Sequence, residues 1–378
     1  MTALLFICAL LFCLYLVLML LYYSGWIATN DFFFPKSFQP KTNVAVVVAA
    51  RNEEENILHC VNDILNQNYP AELMELIVVD DFSSDKTIEI LKSVSDSRLR
   101  IIQMKDFASE QKFSSKKKSI ETAIAKTNAT LIITTDADCR MNENWILNLV
   151  AEHELNLKQF ILGPVAYHYE KNLFEQMQSL DFFGFTGIAC GSLYWKMPAL
   201  CNGANLAYTR ELFYQLGGFT DNEIIPSGDD MFLLMKAFKQ NPNTVSYLKS
   251  TDATVRTFAS SSWNEFLQQR IRWGSKSKHY SDFRITASLA TIFLFYCCIA
   301  VSGVMAFFQP VFLFVFLFMV ITKSLIDAAF LFNVANFFCR KKLLLIFLPA
   351  QIFHITYVLI AGVLSQVKSY NWKGRTNK

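Results

Sequence analysis

The sequence predicts an α/β domain with a mixed, mainly parallel sheet, flanked by segments that are apolar enough to cross a membrane. Between residues 42 and 283, β-rich runs alternate with amphipathic helical stripes, a pattern typical of parallel strands joined by helices. An uncharged apolar run covers residues 3–22, and a second apolar block follows Arg284. Hydrophobic residues make up 53% of the 378 residues and the mean hydropathy is +0.27, more than a soluble domain of this length needs.

The N-terminal apolar run is long enough to cross a bilayer core of about 30 Å. A cleaved signal peptide would instead show basic residues before a shorter apolar stretch, and no Lys or Arg precedes this run. We therefore predict a retained anchor over residues 1–24. The charges that follow it include Lys36, Lys41 and Arg51, and this basic excess predicts that the next domain is cytosolic, at the plasma membrane if the protein is bacterial.

Four β-rich runs are expected to form the sheet of a domain over residues 42–283. They cover residues 43–50, 76–80, 99–103 and 129–135, separated by helical patterns over residues 53–67, 86–94 and 117–126. In the first of these helices, Ile57, Val61 and Ile64 form one apolar stripe. Ligands of such sheets bind beyond the carboxyl ends of the strands, so acidic residues that follow the second and fourth strands are site candidates.

The C-terminal apolar block predicts a membrane region over residues 285–366, with about three spans. Its uncharged stretch of residues 285–322 is too long for one helix and should break near Pro310. Lys323 and Asp327 lie one helical turn apart, so we expect them to pair away from lipid. Three spans would place the basic tail, residues 367–378, outside, whereas its charge favours the inside. The side of the tail therefore stays open.

Composition and missing motifs exclude several classes of protein. The formal net charge is only +3, so no nucleic-acid partner is expected. No G-x-G-x-x-G follows the first strand and no G-x-x-x-x-G-K-[ST] is present, which disfavours dinucleotide-dependent oxidoreductases and P-loop ATPases. The nine cysteines lack paired metal-type spacing, so we expect free thiols in a reducing compartment.

Two acidic clusters follow strands. Asp136 and Asp138 stand at alternate positions after the fourth strand, where two carboxylates can address one Mg²⁺ or Mn²⁺ ion that bridges to a diphosphate. A solvated acidic turn is the alternative. Asp80 and Asp81 follow the second strand and begin a segment, residues 80–85, that is rich in Asp and Ser. Capping of the next helix by this segment is an alternative to a nucleotide-binding role for Asp81.

Two further segments could carry chemistry. Asp229 and Asp230 precede a helical run, where negative charge suits the helix dipole, but a carboxylate there could also be the general base for an acceptor hydroxyl. The segment from Gln269 to Trp273 ends an amphipathic helix just before the apolar block. Its basic end could face lipid phosphates, or Arg272 could stabilise a diphosphate while Trp273 stacks on a sugar or lipid head group.

The order of these motifs is more specific than any one of them. D-D-x-S, a lysine, D-x-D, D-D and Q-x-x-R-W follow one another between an N-terminal apolar run and C-terminal ones. Over about residues 43–273, this order resembles the membrane-bound family 2 glycosyltransferases, which include cellulose synthases, hyaluronan synthases and ceramide glucosyltransferase. The resemblance implies a GT-A, Rossmann-like fold, an inverting reaction and a nucleotide-sugar donor, UDP-linked because Asp81 matches the aspartate that these enzymes place on uracil.

The resemblance also assigns roles to residues. The implied donor-binding residues are Ala50, Arg51, Glu53, Asp81, Lys118, Asp136 and Arg272. The implied acceptor-binding residues are Gly203, Asn205, Gln269 and Trp273. Asp138 and Asp136 would hold Mg²⁺ or Mn²⁺, and Asp230 would be the general base beside Asp229. The sequence departs from the family pattern at Ala49, Phe82 and Lys117, where proline, glycine and glycine are usual.

The apolar segments bear on the acceptor. An active site at a bilayer suits a lipid or lipid-linked acceptor, and also a growing polymer passed through the spans. Because a polymer channel normally needs more helices than three, we predict a lipid or lipid-linked acceptor, with a processive polysaccharide synthase as the alternative. A transporter would rest only on Lys323, Asp327 and His354, and the intact carboxylates disfavour an inactive scaffold.

Overall fold

The computed structural model describes residues 1–107, 116–220, 228–367, 370–372 and 375–377. The chain divides into two compact units. The sheet unit comprises Asn30–His168 and Cys201–Phe258, and the helical unit comprises Met1–Thr29, Tyr169–Leu200 and Ala259–Lys378.

The sheet unit is built on a seven-stranded sheet of order β3-β2-β1-β4-β7-β5-β8. Its strands are β1 Val44–Ala50, β2 Met74–Asp80, β3 Leu99–Gln103, β4 Leu131–Asp136, β5 Phe160–Leu162, β7 Leu206–Thr209 and β8 Val245–Tyr247. The first four strands run parallel, β7 runs antiparallel to both β4 and β5, and β8 is parallel to β5. The predicted mixed, mainly parallel sheet is confirmed.

Two further strands, β6 Val165–Tyr167 and β9 Val255–Thr257, pair in parallel beside this sheet. The connecting helices are α2 Ile57–Leu65, α3 Thr87–Ser93, α4 Lys116–Ile124, α5 Trp145–Asn156, α7 Arg210–Gln215 and α8 Asp229–Gln240. In β1 the valines from Val44 to Val48 are all buried, because a central parallel strand is covered by helices on both faces. Ile57, Val61 and Ile64 of α2 are also buried, as their spacing predicts.

The helical unit contains the apolar helices. In the described part of the chain, four helical segments are long and apolar enough to cross a membrane: Thr2–Ala28, Phe283–Met305, Pro310–Phe337 and Lys341–Val367. One is N-terminal and three are C-terminal, as predicted, and the break falls at Pro310. We name their helices α1 Thr2–Ala28, α10 Phe283–Met305, α11 Pro310–Phe337 and α12 Phe347–Val367.

The helical unit also contains α6 Leu173–Tyr194 and α9 Trp263–Ser275. Both segments lie inside the continuous domain predicted over residues 42–283, but they pack with the apolar helices. Phe174 of α6, Phe266 of α9 and Phe353 of α12 form one aromatic cluster, with ring centroids 5.1–5.8 Å apart. Aromatic burial therefore joins α6 and α9 to the unit of the spans.

Lys323 and Asp327 pair within α11, with Nζ and Oδ2 2.6 Å apart, and both are buried. The Lys323 ammonium also contacts Gln351 of α12, and the Tyr15 hydroxyl of α1 donates to Asp327 over 2.8 Å. The predicted pair is therefore present and ties three apolar helices together. Such satisfied polar contacts set the register of helices that apolar packing alone leaves free to slide.

Candidate active site

The acidic clusters lie at one edge of the sheet. The pairing register sets Ala50 opposite Asp80 and Ala49 opposite Asp136, so β2, β1 and β4 end level with one another. Since β2 and β4 are two strand spacings apart, the chain positions of Asp80 and Asp136 are about 10 Å apart. The sheet thereby brings together segments that are more than fifty residues apart in the sequence.

The loop after β1 is bonded to the turn after β2. Asp81 donates its N–H to the Ala50 carbonyl, and Arg51 Nη1 donates to the Asp81 carbonyl, each over 2.8 Å. Asn52 donates its N–H to Ser83 Oγ over 3.0 Å. Three predicted donor residues, Ala50, Arg51 and Asp81, thus lie in one hydrogen-bonded pair of loops.

The turn after β2 has a strained position. Phe82 has φ of +57°, the left-handed region that favours glycine, and glycine is the usual residue of the resembled family here. Asp80, which is buried, accepts from the Ser83 N–H over 3.3 Å, and burial raises the pKa of its carboxyl. Asp81 is also buried.

Asp85 lies just before the N-cap residue of α3, Lys86, and bonds to the start of that helix. Its Oδ1 accepts from the N–H of Thr87 over 3.0 Å and from the Thr87 hydroxyl, and its Oδ2 accepts from the Glu54 N–H. Glu53, a predicted donor residue, donates its own N–H to the Thr87 hydroxyl over 2.8 Å. Within the segment of residues 80–85, the bonds to the start of α3 thus come from Asp85, and the nucleotide-binding role of Asp81 stays a prediction.

Asp136 and Asp138 form the candidate cation site. One ligand atom each from Asp136, Asp138 and Cys139 lie within 4.8 Å of one another. The two aspartates are half-buried, whereas Cys139 is fully buried. Two carboxylates with partial access to solvent suit Mg²⁺ or Mn²⁺, which prefer oxygen ligands. The residues present therefore fit the predicted ion.

Asp138 has a hydrogen bond on each carboxylate oxygen. The Thr257 hydroxyl donates to Oδ2 over 3.1 Å, and the Cys139 thiol lies 3.7 Å from Oδ1. Burial, together with the nearby charge of Asp138, raises the pKa of the Cys139 thiol well above its ordinary value. The thiol is therefore neutral at pH 7 and can donate.

The three lysines at the start of α4 differ in their contacts. Lys116 Nζ forms an ion pair with Asp136 Oδ1. Lys117 is buried with its ammonium 5.2 Å from the ring centroid of Phe232, and Lys118 Nζ lies 3.4 Å from Glu121 Oε2 on the same helix. Lys116 therefore contacts the first aspartate of the D-x-D motif. The donor role of Lys118 stays a prediction.

Asp230 lies beside the predicted acceptor loop. Its Oδ2 accepts from the Gly203 N–H over 3.1 Å, and its Oδ1 accepts from the Met231 N–H over 2.8 Å. The Thr134 hydroxyl of β4 donates to the Gly203 carbonyl over 3.3 Å. Gly203 thus connects Asp230 to the strand that ends at Asp136. The side chain of Asp229 lies outside the described residues.

Asn205 is the most enclosed of the predicted acceptor residues. Its Oδ1 accepts from Trp145 Nε1 over 2.9 Å, and its Nδ2 donates to the carbonyls of Pro164 and Ala253 over 2.8 and 2.7 Å. The residue is fully buried. Its side chain therefore holds the loop in place, and its role toward an acceptor stays a prediction.

The remaining predicted residues lie on α9 in the helical unit. Arg272 and Trp273 are half-buried, and the Trp273 ring packs on Phe185, with centroids 5.7 Å apart. Gln269 Oε1 accepts from the neighbouring Arg270 over 3.1 Å. Because these residues belong to the other compact unit, their donor and acceptor roles stay predictions.

Sequence reasoning gave no role to Arg270, which is buried. It forms an ion pair of 2.9 Å with Asp181 of α6, and its guanidinium lies 4.3 Å from the Trp273 ring centroid. Asp181 also accepts from His354 Nδ1 over 2.5 Å and from the Tyr357 hydroxyl. The only signal in the sequence was an arginine next to Gln269.

Comparisons with known proteins agree with this architecture. Residues 45–217 match the family model for glycosyl transferase family 2. The probable glycosyltransferase YdaM of Bacillus subtilis is 24% identical over 62% of this chain and 55% of its own length, so the match spans about half of that relative. A dolichyl N-acetyl-α-D-glucosaminyl phosphate 3-β-D-2,3-diacetamido-2,3-dideoxy-β-D-glucuronosyltransferase of Methanococcus voltae is 20% identical over 61% of this chain and 72% of that one.

One solved structure shares the fold over nearly the whole chain. The mannosyltransferase PcManGT of Pyrobaculum calidifontis, in complex with GDP-Man and Mn²⁺, superposes with a TM-score of 0.60 at 17% identity, over 96% of this chain and 98% of that one. The strand order, the carboxylates at one sheet edge and these matches agree. Residues 45–217 therefore match glycosyl transferase family 2, and the chain has the GT-A fold.

Proposed function

We propose that the protein transfers a sugar, with inversion, from a nucleoside diphosphate sugar to a hydroxyl group of a lipid or lipid-linked acceptor. The observation that carries this proposal is the hydrogen bond from Gly203 to Asp230, beside the strand that ends at Asp136 and leads to Asp138. A carboxylate that can take a proton is thereby fixed beside the strand that leads to two carboxylates able to hold a cation.

In the proposed reaction, Asp230 accepts the proton of the acceptor hydroxyl while the hydroxyl oxygen attacks the anomeric carbon from the side opposite the diphosphate. Two backbone N–H groups hold this carboxylate in place, so little reorganisation is needed at the moment of attack. A divalent ion held by Asp136 and Asp138 would supply positive charge to the departing diphosphate. Lys116 contacts the same carboxylate cluster and places a second positive charge there.

On the donor side, the hydrogen-bonded loops after β1 and β2 support nucleotide binding. Asp81 lies between Ala50 and the left-handed turn at Phe82, in a short segment with a fixed backbone. By the family resemblance, its carboxylate accepts from the imide N–H of uracil, and we therefore propose a UDP-linked sugar. A nucleotide base that lacks this N–H would not form that hydrogen bond with the buried carboxylate of Asp81. The free energy lost in this way is the physical basis for preferring uracil over other bases.

On the acceptor side, the apolar helices support a lipid. Four helical segments could span a bilayer, so a hydrophobic acceptor would be concentrated where the protein lies. The name of the Methanococcus voltae relative specifies a dolichyl-phosphate-linked sugar as the acceptor of that protein. We propose a multi-pass membrane protein whose sheet unit faces the cytosol.

The test is an assay with the full chain in detergent or lipid nanodiscs. A panel of UDP-, GDP- and other nucleotide sugars is offered with lipid extracts and polyprenyl phosphate sugars, in the presence of Mn²⁺, Mg²⁺ or a chelator. We expect one sugar to be added to a lipid, only with a divalent ion and with a UDP donor. A long polymer would favour a processive synthase, and no transfer or hydrolysis from any donor would contradict the proposal.

Asp138→Ala tests the cation site within this assay. We expect it to abolish the dependence of donor binding on Mn²⁺, measured by titration of the donor with and without the ion. Glu72→Ala is a matched control, because Glu72 is an exposed carboxylate just before the other end of β2. Equal Mn²⁺ dependence in wild type and Asp138→Ala would contradict the assignment.

A further inference from the structure

The carboxylate of Asp138 is held from two separate segments of the sheet unit. Cys139, its neighbour in sequence, lies at Oδ1, and Thr257, 119 residues further along, donates to Oδ2. Thr257 is the last residue of β9, the strand that pairs with β6 through the register Tyr167↔Thr257. One of the two donors therefore comes from a strand outside the seven-stranded sheet.

The backbone around this contact is fixed. Arg140 and Arg256 exchange two backbone hydrogen bonds of 2.7 and 2.8 Å, so the segment after Asp138 is bridged to β9 one residue before Thr257. The Arg140 side chain is in turn held by Asp63 of α2, through bonds of 2.6 and 2.9 Å to its two carboxylate oxygens. The distance from Thr257 to Asp138 is thus set by a frame that includes α2 and β9.

Such an arrangement restricts the Asp138 side chain to one orientation. A carboxylate that accepts a hydrogen bond on each oxygen cannot rotate without losing one of them. In metal sites, groups that orient a ligand in this way commonly change metal affinity 10–100-fold, roughly, when they are removed.

We propose that Thr257 is a positioning residue for the cation site, and that Cys139 serves the other oxygen of the same carboxylate. This inference rests on the proposed role of Asp138 as a cation ligand. Thr257 does not itself bind the ion or touch the sugar in this proposal. Its hydroxyl acts through Asp138 by fixing the direction from which that carboxylate presents its oxygens.

The test measures Mn²⁺ affinity directly. Free Mn²⁺ is followed by electron paramagnetic resonance during titration of the full chain in detergent, with and without UDP. Thr257→Val keeps the shape and removes the hydroxyl, and we expect the dissociation constant for Mn²⁺ to rise roughly 10–100-fold. Thr257→Ser keeps the hydroxyl and should restore affinity. Thr254→Val is the matched control, since Thr254 lies just before β9 and donates to the Ser250 carbonyl instead.

Three outcomes decide the matter. Equal Mn²⁺ affinity of wild type and Thr257→Val, with affinity lost in Asp138→Ala, would overturn the positioning role and leave the proposed function intact. Wild type that binds no Mn²⁺ would overturn both. Cys139→Ala distinguishes a positioning role of the thiol from direct ligation of the metal. If this variant loses much more affinity for Cd²⁺ than for Mn²⁺, Cys139 is itself a metal ligand. That result would contradict the positioning role inferred for Cys139.

Discussion

Helices α1 and α6 cross at Gly25 and Gly191, where their backbones are in direct contact. A methyl group built on Gly191 would overlap the Tyr22 carbonyl, and one built on Gly25 would overlap the Gly191 carbonyl. Small residues are what allow apolar helices to approach so closely, and the closeness adds van der Waals contact that lipid cannot supply.

We therefore expect Gly191→Ala to destabilise the protein by about 1–3 kcal/mol, the usual range for overpacking against a rigid neighbour. Gly184→Ala is the control on the same helix, because a methyl group there would lie 3.9 Å from Leu331 Cδ2, an ordinary contact. Thermal unfolding in detergent should give a lower Tm for Gly191→Ala and an unchanged or higher Tm for Gly184→Ala. Equal melting of the two variants would contradict the crossing.

Asp230→Asn should lower kcat by roughly 10²–10⁴-fold while donor binding is retained, because an amide cannot accept the hydroxyl proton. The amide also has only one acceptor oxygen for the two N–H groups that Asp230 serves, from Gly203 and Met231. A small drop in Tm is therefore expected as well. Donor affinity, measured separately, distinguishes loss of the base from collapse of the loop, and unchanged kcat would refute the assignment.

At position 82, a glycine variant should be more stable than an alanine variant, which is the reverse of their usual order of stability. Alanine normally stabilises a protein relative to glycine by about 0.5–1 kcal/mol, since glycine loses more chain entropy on folding. The φ of +57° at this position costs an L-residue about 1–2 kcal/mol. Both substitutions remove the same ring, so Phe82→Gly should melt above Phe82→Ala. The opposite order would indicate that the turn relaxes when the ring is removed.

Asp181 should be essential for the stability of the helical unit. Burial by itself raises the pKa of Asp181, but the hydrogen bond from His354 and the charge of Arg270 outweigh it and hold this pKa below its ordinary value of 3.8. The carboxylate is therefore ionised at neutral pH. Its stabilising contribution is full above pH 3.8 and is lost as the pH falls through the lowered pKa.

Asp181→Asn removes the charge that faces Arg270 and should cost about 3–5 kcal/mol, as expected for a broken buried ion pair. Arg270→Met combined with Asp181→Asn should cost less than the sum of the two single changes, because the double variant leaves neither charge behind. Thermal unfolding of the four proteins gives the coupling energy. Strictly additive effects would show that the two residues do not stabilise each other.

Much of the sheet was predictable, because buried parallel strands appear in the sequence as short apolar runs that end in acidic residues. The expectation that Asp81 and Asp136 share one edge needs only the rule that parallel strands end together, and the register Ala50↔Asp80 agrees with it. By contrast, β5 and β8 have three residues each, too few to show a period.

The side-chain partners within the site were not predictable. Lys116 and Lys118 lie two residues apart on α4, so about 200° of rotation separates them, and only the packed orientation of the helix decides which one contacts Asp136. Thr257 had no local signal at all, since its contact with Asp138 depends on how β9 is placed. Such contacts are properties of the tertiary structure and not of spacing.

The antiparallel direction of β7 has a consequence for how acceptor preference could diversify. Leu206, the first residue of β7, pairs with Thr134 near the end of β4. The loop that contains Gly203 and leads into β7 therefore lies at the same edge of the sheet as the end of β4. It comes, however, from a different part of the sequence. Insertions or exchanges just ahead of β7 can therefore remodel the proposed acceptor surface without moving the backbone that carries Asp136 and Asp138. Homologues with different acceptors are expected to vary there first, on an otherwise constant donor side.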